Sequence, residues 1–358
     1  MSIELVVLRG DGIASEILNE ALKILNFISE VGLAKVEYRI YDVGAGYYLK
    51  TGKVISDEAV EDIKRTRLVL KTPTGLPDVR YEDGTEVGMI SSYLIRPMLR
   101  LYANIRPIKL FPNIPKLLYN INNIDYIIVR ENLEGILATR GRGIVLWDEV
   151  AIDNIVITRF ESYRVFKLAF ELARESSGTP SERVRKVTIV DKSNVLKSFA
   201  FFRRIFNEVA KDYPDIKTEY LYSDSAVVKL LKEPDDLNII VTENFIGDYL
   251  SNLGATTVGG LGMVPSTNIG SDAAMFEPIH GSAPDIAGMN IANPIALILC
   301  LALLFKWVGR KELHDLIYKA VEYTLNEGFK TPDIGGFNKT YEVGDRILSN
   351  LDRILEKK

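Results

Sequence analysis

The sequence contains little cysteine, histidine or tryptophan, and it has no long run of one charge. Its 358 residues include one cysteine, two histidines and two tryptophans, with 44 Lys or Arg against 48 Asp or Glu. One cysteine, Cys300, excludes an internal disulfide. The net charge of -4, without basic blocks, argues against nucleic acid as the main partner.

Long apolar runs are also absent. The longest, Ile295 to Phe305, is too short to cross a bilayer, so we expect a buried helix and no membrane association. No charged leader with an apolar core precedes Ile3, so we expect a reducing cytoplasm. A chain of 358 residues, 47% of them hydrophobic, exceeds the usual size of a single core and predicts two lobes.

Short β-rich runs that end in polar or glycine residues recur along the chain, each followed by a helical pattern. They are IELVVL before RGDG, RLVL before KTPTG, YIIV before REN, VTIV before DKSN, and LNIIV before TENFIGD. This alternation predicts an α/β protein with largely parallel strands. Ligands of open α/β sheets gather at the carboxyl ends of the strands, so we expect the chemistry in these polar clusters.

The first polar cluster, RGDGIAS, resembles a dinucleotide-binding fingerprint only in part. Two glycines follow the strand, but Ser15 stands where the third glycine belongs. We therefore reject the dinucleotide-binding fingerprint for this segment. The glycines allow a tight turn into a helix that starts near Ala14.

Four arginines lie close together in the sequence: Arg96, Arg100, Arg106 and Arg130. Guanidinium groups bind carboxylates through two parallel hydrogen bonds, so a converging set suits a di- or tricarboxylate. Singly, each arginine is more often a surface charge or part of a structural ion pair. Arg130 is the best candidate because it closes an apolar strand. Pro97 fits most easily in the first turn of a helix, which leaves the direction of Arg96 open.

Four other polar residues, three oxygen donors and one lysine, lie after predicted strands or where a helix begins. Asp248 and Asn252 stand four residues apart, so on a helix they share one face and could share a cation. Lys192 ends a strand, where partial desolvation would let it act as acid or base; the alternative is an exposed lysine. Asp224 stands where a helix begins, and a helix cap is the alternative for it.

The segment FEPIHGSAPDIAG, residues 276–288, has neither a helical nor a strand period. Its turn-forming and hydrogen-bonding residues predict a loop that could wrap a nucleotide. His280 in this loop belongs to no metal-ligand cluster. The second histidine, His314, is expected on a helix surface.

Seven motifs together, HGSAPDIAG, ANPIAL, VDKSNV, GDYLSN, ANIRP, VREN and TPDIGG, resemble the β-decarboxylating dehydrogenases that act on isopropylmalate, isocitrate, homoisocitrate and tartrate. The match is greatest to the motifs of 3-isopropylmalate dehydrogenases. The resemblance implies an isopropylmalate/isocitrate dehydrogenase-like α/β fold, not a Rossmann fold, whose two domains share a mixed, largely parallel sheet. Residues 1–100 and 256–358 would form the first domain, with both termini and the cofactor loop. Residues 101–255 would form the second, which carries the dimer interface of a homodimer with shared active sites.

The resemblance also implies roles for individual residues. The substrate-binding set is Arg96, Arg106, Arg130 and Tyr93. The ligands of Mg²⁺ or Mn²⁺ are Asp224, Asp248 and Asn252. Asp224 and the catalytic Lys192, which handles the hydroxyl proton, would come from the partner subunit, and the cation would polarise the substrate hydroxyl.

For the cofactor, the resemblance implies contacts from Thr72, Glu277, His280, Gly281, Ser282, Ala283, Pro284, Asp285, Ile286 and Asn293. Asp285 would accept hydrogen bonds from the adenosine ribose and repel a 2′-phosphate, which favours NAD over NADP. The implied reaction transfers hydride from the 2-hydroxy carbon to NAD. The resulting β-keto acid then loses CO₂, and the enol is protonated.

Two positions depart from the family pattern. Leu137 stands where the family has a tyrosine that protonates the enol carbon, and Asn252 stands where it has a further aspartate. We therefore expect a weaker cation site, and a proton that comes from water, Lys192 or another tyrosine such as Tyr93. The alternative is a non-catalytic paralogue that binds ligand or regulates an active partner subunit.

The resemblance implies that the third substituent of the substrate contacts the segment before the first arginine, VGMISSYLIR, residues 87–96. Met89, Ile90 and Tyr93 favour an alkyl group, which predicts isopropylmalate or a smaller alkylmalate. Ser91 and Ser92 could instead bind the extra carboxylate of isocitrate or homoisocitrate. Both interpretations remain open from the sequence.

Overall fold

The computed structural model describes residues 2–90, 94–121, 123–139 and 143–356. The chain folds into two compact units: Met1–Leu99, Phe111–Lys116 and Gly259–Lys358 form the first, and Arg100–Leu110 with Leu117–Val258 form the second. The sequence-based boundaries, after residues 100 and 255, lie close to these divisions. Segment 111–116, which those boundaries place in the second domain, belongs to the first unit.

The strands of the described residues are β1 (Ile3–Arg9), β2 (Val36–Asp42), β3 (Leu68–Lys71), β4 (Ala103–Lys109), β5 (Asp125–Glu131), β6 (Ile144–Leu146), β7 (Val150–Ile152), β8 (Lys186–Asp191), β9 (Lys217–Tyr222), β10 (Ile239–Thr242), β11 (Pro265–Ile269) and β12 (Ala274–Pro278). The helices are α1 (Ala14–Glu30), α2 (Ala45–Thr51), α3 (Asp57–Thr66), α4 (Arg96–Met98), α5 (Arg159–Glu175), α6 (Lys197–Ala210), α7 (Ser223–Lys232), α8 (Asn244–Thr257), α9 (Ile295–Trp307), α10 (Lys311–Asn326) and α11 (Thr340–Glu356).

In the first unit the strands lie in the order β2-β1-β3-β12-β11. All neighbours pair in parallel except β11, which runs antiparallel to β12. Helix α9 packs on β11 and β12 and is buried on nearly every side, as its uninterrupted apolar sequence predicts. No helix in the described ranges combines the length and apolar character that a bilayer crossing requires.

The second unit has the strand order β4-β5-β10-β8-β9. Only β4 is antiparallel, to β5; the other neighbours are parallel. Helices α5 and α6 pack together through the buried rings of Phe166, Phe170, Phe202 and Phe206. Each such ring contributes roughly 1.5–3 kcal/mol on burial. The mixed, largely parallel pairing in both units confirms the predicted α/β class.

The turn after β1 shows how the sequence shapes a strand end. Helix α1 begins at Ala14 as predicted, and Gly12 takes a left-handed φ of 60°. Between the glycines, the carboxylate of Asp11 accepts hydrogen bonds of 2.7 to 2.8 Å from the backbone N–H groups of Ala45, Gly46 and Gly75. Asp11 therefore ties three loops of the first unit together.

Candidate active site

The second unit holds two buried arginines that converge on one carboxylate. Arg130 ends β5 and is 3% exposed, and its Nη1 donates to Oδ1 of Asp248. The rest of its guanidinium is fixed by the Oδ1 of Asn244, 3.0 Å from Nε and 2.6 Å from Nη2. The apolar strand therefore delivers a charge that is oriented on two sides, as expected for a binding residue.

Arg106 in β4 reaches the same carboxylate. It is 5% exposed, and its Nη1 lies 3.1 Å from the Asp248 Oδ1 and also donates to Ser251. Its Nε donates to the Oδ1 of Asn104 at 3.0 Å. Because β4 and β5 are antiparallel neighbours with Asn104 opposite Arg130, the two guanidiniums come from one pair of strands.

Helix α8 presents Asp248 to these arginines. The helix begins directly after β10, and Glu243 caps it by accepting a hydrogen bond from the backbone N–H of Ile246 at 3.2 Å. Gly247 allows close approach, since a Cβ there would lie 2.7 Å from Cγ of Arg130. The Asp248 side chain remains 47% exposed, so one side of the carboxylate faces away from the arginines.

Asn252 lies on α8 one turn after Asp248 and is exposed, as the spacing predicts. Within the described residues, no group of three or more His, Cys, Asp or Glu side chains forms a ready-made metal cluster. The donors that one chain offers are carboxylate and amide oxygens, which suit a hard divalent cation. The fit rests on this donor chemistry alone.

Lys192 and Asp224 form an ion pair in the second unit. The Lys192 side chain is 29% exposed and that of Asp224 is 72% exposed. Asp224 lies in the first turn of α7, where Tyr222 is the N-cap residue and no side chain caps the helix. The alternative of a helix cap for Asp224 is therefore wrong. If Lys192 and Asp224 contribute to the site of a neighbouring copy, they do so as an ion pair.

A buried aspartate holds the loop that carries Lys192. Asp191 is fully buried at the end of β8, and its carboxylate accepts two hydrogen bonds from Arg203, at 2.7 and 2.9 Å. It also accepts one from the backbone N–H of Ser193 at 2.8 Å. The backbone on both sides of Lys192 is thus fixed.

The first unit contains the remaining predicted arginine. Arg96 begins the short helix α4, with Pro97 in its first turn as expected. Its Nη2 donates to Oε1 of Glu277 at 3.3 Å, and Nζ of Lys71 lies 3.1 Å from Oε2 of the same carboxylate. Glu277, predicted to contact the cofactor, has its carboxylate engaged inside the protein by these two cations and by Asn268.

The cofactor loop of the first unit has open polar groups. His280 donates its Nδ1–H to Gly281 O, 3.0 Å away, while its buried Nε2 has no hydrogen-bond partner among the described residues. Burial lowers the pKa of His280, which keeps the imidazole neutral. Asp285 is exposed on a 3₁₀ turn, Pro284–Ile286. The orphaned imidazole nitrogen and the exposed carboxylate fit a nucleotide.

Three other predicted cofactor residues have structural roles. The Thr72 hydroxyl is fully buried, donates to Leu8 O and accepts from the Gly10 N–H. The Ser282 hydroxyl donates to Gly75 O at 2.6 Å. Asn293 accepts from the first N–H of α9 and donates to Asp333. These side chains shape the loop, and a ligand would meet the backbone around them.

Tyr93 is expected to contact the substrate, and Leu137 stands where the family pattern has a tyrosine. Tyr93, together with Ser91 and Ser92, lies outside the described residues. Leu137 is half-buried in a 3₁₀ turn, Ile136–Thr139, of the second unit. The side chain at this position is aliphatic and has no proton to donate.

A buried glutamate group lies beside the arginine cluster. Burial raises the pKa of Glu131 to about 8, with the carboxylates of Glu134 and Glu243 adding to the effect, although the N–H groups of Leu133 and Glu134 donate to it. Burial also raises the pKa of Glu243. Glu131 is therefore largely protonated at neutral pH.

Several site residues were missed by the sequence reasoning: Asn104, Asn244, Ser251, Lys71 and Asp191. Asn104 and Asn244 stand in the segments ANIRP and TEN, where only the neighbouring charged residues were given a role. Their signal was a polar side chain at a strand end next to a candidate arginine. Lys71 closes β3 in the same way that Lys192 follows β8, so the same argument applies to it.

Comparison with known proteins identifies the family of the chain. Residues 4–347 match the family described as isocitrate/isopropylmalate dehydrogenase. The chain is 39% identical to the 3-isopropylmalate dehydrogenase of Aquifex aeolicus, over 98% of each chain, and 39% identical to the homoisocitrate dehydrogenase of Methanocaldococcus jannaschii, over 99% of each. It is 36% identical to the isocitrate dehydrogenase [NADP] of Thermus thermophilus, covering 99% of this chain and 68% of that one.

Among solved structures, the isocitrate dehydrogenase of Methylococcus capsulatus matches with a TM-score of 0.87 and 31% identity, over 97% of this chain and 99% of that one. Relatives at this identity over nearly the whole chain share its fold and its family. The predicted resemblance is thereby confirmed. The chain belongs to the isocitrate/isopropylmalate dehydrogenase family, whose members are dehydrogenases.

Proposed function

We propose that the protein catalyses the metal-dependent oxidative decarboxylation of a 3-substituted malate, of the 3-isopropylmalate type, with hydride transfer to NAD. One observation carries the proposal: Arg106 and Arg130, both buried, converge on the half-exposed carboxylate of Asp248. Guanidinium groups in such an arrangement suit the carboxylates of a hydroxy diacid. The Asp248 carboxylate, which lies between the two arginines, suits a cation that would also bind the substrate.

The chain's own residues have distinct tasks in this proposal. Arg106 and Arg130 bind and orient the substrate carboxylates, and Asn104 and Asn244 hold the two guanidiniums in place. Lys192, from a neighbouring copy, takes the hydroxyl proton at Nζ when the alcohol becomes a ketone. A divalent cation held by Asp248 and the neighbour's Asp224, when bound, supplies Lewis-acid polarisation of the hydroxyl oxygen.

For the cofactor we propose NAD. The support is the exposed Asp285, whose carboxylate would accept hydrogen bonds from a ribose and repel a 2′-phosphate. One relative is named as using NADP, so family membership alone leaves this choice open. The buried, neutral His280 would offer its open nitrogen to a polar group of the nucleotide.

We also propose a homodimer in which each copy completes the other's site. The antiparallel hairpin of β6 and β7 in the second unit exposes a row of large apolar side chains, among them Val145 at 66% and Trp147 at 83% exposure. Such a row on an exposed hairpin favours a protein interface. A second copy of the chain would cover it and present its Lys192 and Asp224 pair.

The test is an activity panel. Purified protein with Mg²⁺ and NAD should form NADH, followed by absorbance, from at least one of 3-isopropylmalate, 3-methylmalate, homoisocitrate, isocitrate and malate. EDTA should abolish the signal, and Lys192→Met should do so while the protein stays folded. Absence of NADH across the whole panel would contradict the proposal.

The same panel decides the substrate. The apolar Met89, which is 37% exposed, supports an alkylmalate, whereas Ile90 is 2% exposed and belongs to the core. Because the relatives include homoisocitrate and isocitrate dehydrogenases, tricarboxylates are the alternative substrates. The ratio of kcat/KM between 3-isopropylmalate and homoisocitrate is the deciding quantity.

A second candidate function rests on Leu137 and Asn252, which remove a proton donor and a charged metal ligand from the family pattern. The protein would then be an impaired paralogue that regulates an active relative through a mixed oligomer. Purification from its native cells decides this. Isolation of homodimers alone would eliminate the regulatory role.

A further inference from the structure

An ion cluster in the first unit surrounds the carboxylate of Glu277. Its members come from four elements: Lys71 from β3, Arg96 from α4, Asn268 from β11 and Glu277 from β12. The side chains of Arg96, Glu277 and Lys71 are only 9%, 10% and 5% exposed. Three charges are thus removed from water at one place.

The geometry of the cluster leaves part of Arg96 unused. Only Nη2 reaches Glu277, at 3.3 Å, in a single rather than a paired contact. The Nε–H of Arg96 is buried and has no hydrogen-bond partner in the described part of the chain. Nε–H is half of the fork with which a guanidinium grips a carboxylate, and a buried donor without a partner is costly. A ligand oxygen would satisfy it.

Lys71 contributes to the net positive charge of this cluster. Its Nζ is 3.1 Å from Oε2 of Glu277 and also donates to Thr72 O at 3.0 Å, so it is fixed at the end of β3. Asn268 holds Oε1 of the same carboxylate at 3.0 Å. The Glu277 carboxylate lies between two cations. It therefore orients Arg96 but cannot neutralise both positive charges. Buried charge of one sign favours an incoming ion of the other sign.

We propose that Lys71 and Glu277 are positioning residues for substrate binding. Glu277 orients Arg96. Because Lys71 also pairs with the Glu277 carboxylate, the positive charge of Arg96 is only partly compensated and can bind a substrate carboxylate. This inference rests on the proposed function, since it takes a hydroxy diacid as the ligand. It assigns a role to Lys71, which the sequence analysis left without one. It also gives Glu277 a role in substrate binding, in addition to the cofactor contact that the family resemblance implies.

The test is a charge-compensation experiment with malate as the probe, in the presence of Mg²⁺, measured by calorimetry on the full-length protein. Lys71→Met leaves Glu277 to neutralise Arg96, so the dissociation constant should rise about tenfold or more. Lys71→Met with Glu277→Gln restores the original net charge with similar side-chain shapes, and the constant should return to within about threefold of the wild-type value. Lys53→Met, at an exposed surface ion pair of the same unit, is the matched control and should change nothing.

The pattern of rescue separates the proposal from a merely structural role. If the cluster only held the fold together, the double variant would bind more weakly than Lys71→Met, and the proposal would be overturned. It would also be overturned if Lys71→Met binds malate as the wild type does, and the proposed function would then stand. If the wild type binds neither malate nor any other diacid of the activity panel, both the proposed function and this inference fail.

Discussion

Gly247→Ala is the substitution that tests most sharply whether helix α8 positions Arg130. A Cβ at this position would lie 2.7 Å from Cγ and 2.9 Å from Cβ of Arg130, and 3.2 Å from the Thr242 methyl group. Alanine normally stabilises a helix interior by about 1 kcal/mol relative to glycine. Here the overpacking costs about 1–3 kcal/mol, so the net loss of stability should be about 0–2 kcal/mol.

The effect on function should be larger than the effect on stability. The root of the Arg130 side chain must move to admit the methyl group, and a displacement of about 1 Å at a binding group costs up to ~10²-fold in rate. We therefore expect kcat/KM for the best substrate of the panel to fall about 10- to 100-fold. Steady-state kinetics and urea unfolding measure the two effects separately.

Gly254→Ala is the matched control on the same helix. Its Cβ would meet the hydroxyl of buried Tyr126 at 2.6 Å and Ile108 at 3.3 Å, so it also overpacks the unit but does not touch Arg130. It should lose similar stability and keep its kcat/KM. Equal kinetic losses in both variants, or a Gly247→Ala protein that is more stable and fully active, would refute the reasoning.

Three further predictions concern the proton donor, the cofactor and the pH dependence of stability. Leu137→Tyr should raise product formation, because a general acid typically contributes ~10²–10⁴-fold, whereas Leu137→Phe should not; an unchanged rate for the tyrosine variant would place the proton source elsewhere. Asp285→Ser should lower the preference for NAD over NADP, measured as the ratio of kcat/KM values, and an unchanged ratio would remove Asp285 from the cofactor site. The raised pKa of Glu131, about 8 against 4.5, means that the folded protein binds this proton more tightly, so the free energy of unfolding should fall as pH rises from about 4.5 to 8, by at most about 1.4 kcal/mol per pH unit. Urea unfolding across this range should show a flatter profile for Glu131→Gln, and an identical slope would contradict the assignment.

Much of the fold was predictable because its signals are local. The apolar runs at β1, β5, β8 and β10 are buried on both faces and read directly as parallel strands. The helix start at Ala14 and the buried helix α9 followed from glycine placement and from an all-apolar run. Assignment of 111–116 to the first unit was not predictable, since it depends on tertiary contacts that leave no periodic signal.

The sequence could indicate candidate residues for the site but not the contacts that these residues make. Strand ends located Arg130 and Lys192, because a charge directly after an apolar strand lies at the sheet edge where ligands bind. The partner of each charge could not be read from the sequence. Asp248 lies against two arginines, and Glu277 lies against Lys71 and Arg96, because strand order brings together residues that are far apart in the chain. Long-range pairing of this kind is set by topology.

The most direct test of the central claim, a cleft built from two copies of the chain, is subunit complementation. Lys192→Met and Arg130→Met should each be inactive as homodimers. In a mixed dimer, purified through two different tags, one cleft would combine the intact Arg130 of one chain with the intact Lys192 of the other. The account predicts that the mixed dimer recovers up to about half of the wild-type activity per dimer. An inactive mixed dimer, with the wild type active and both variants folded, would contradict it.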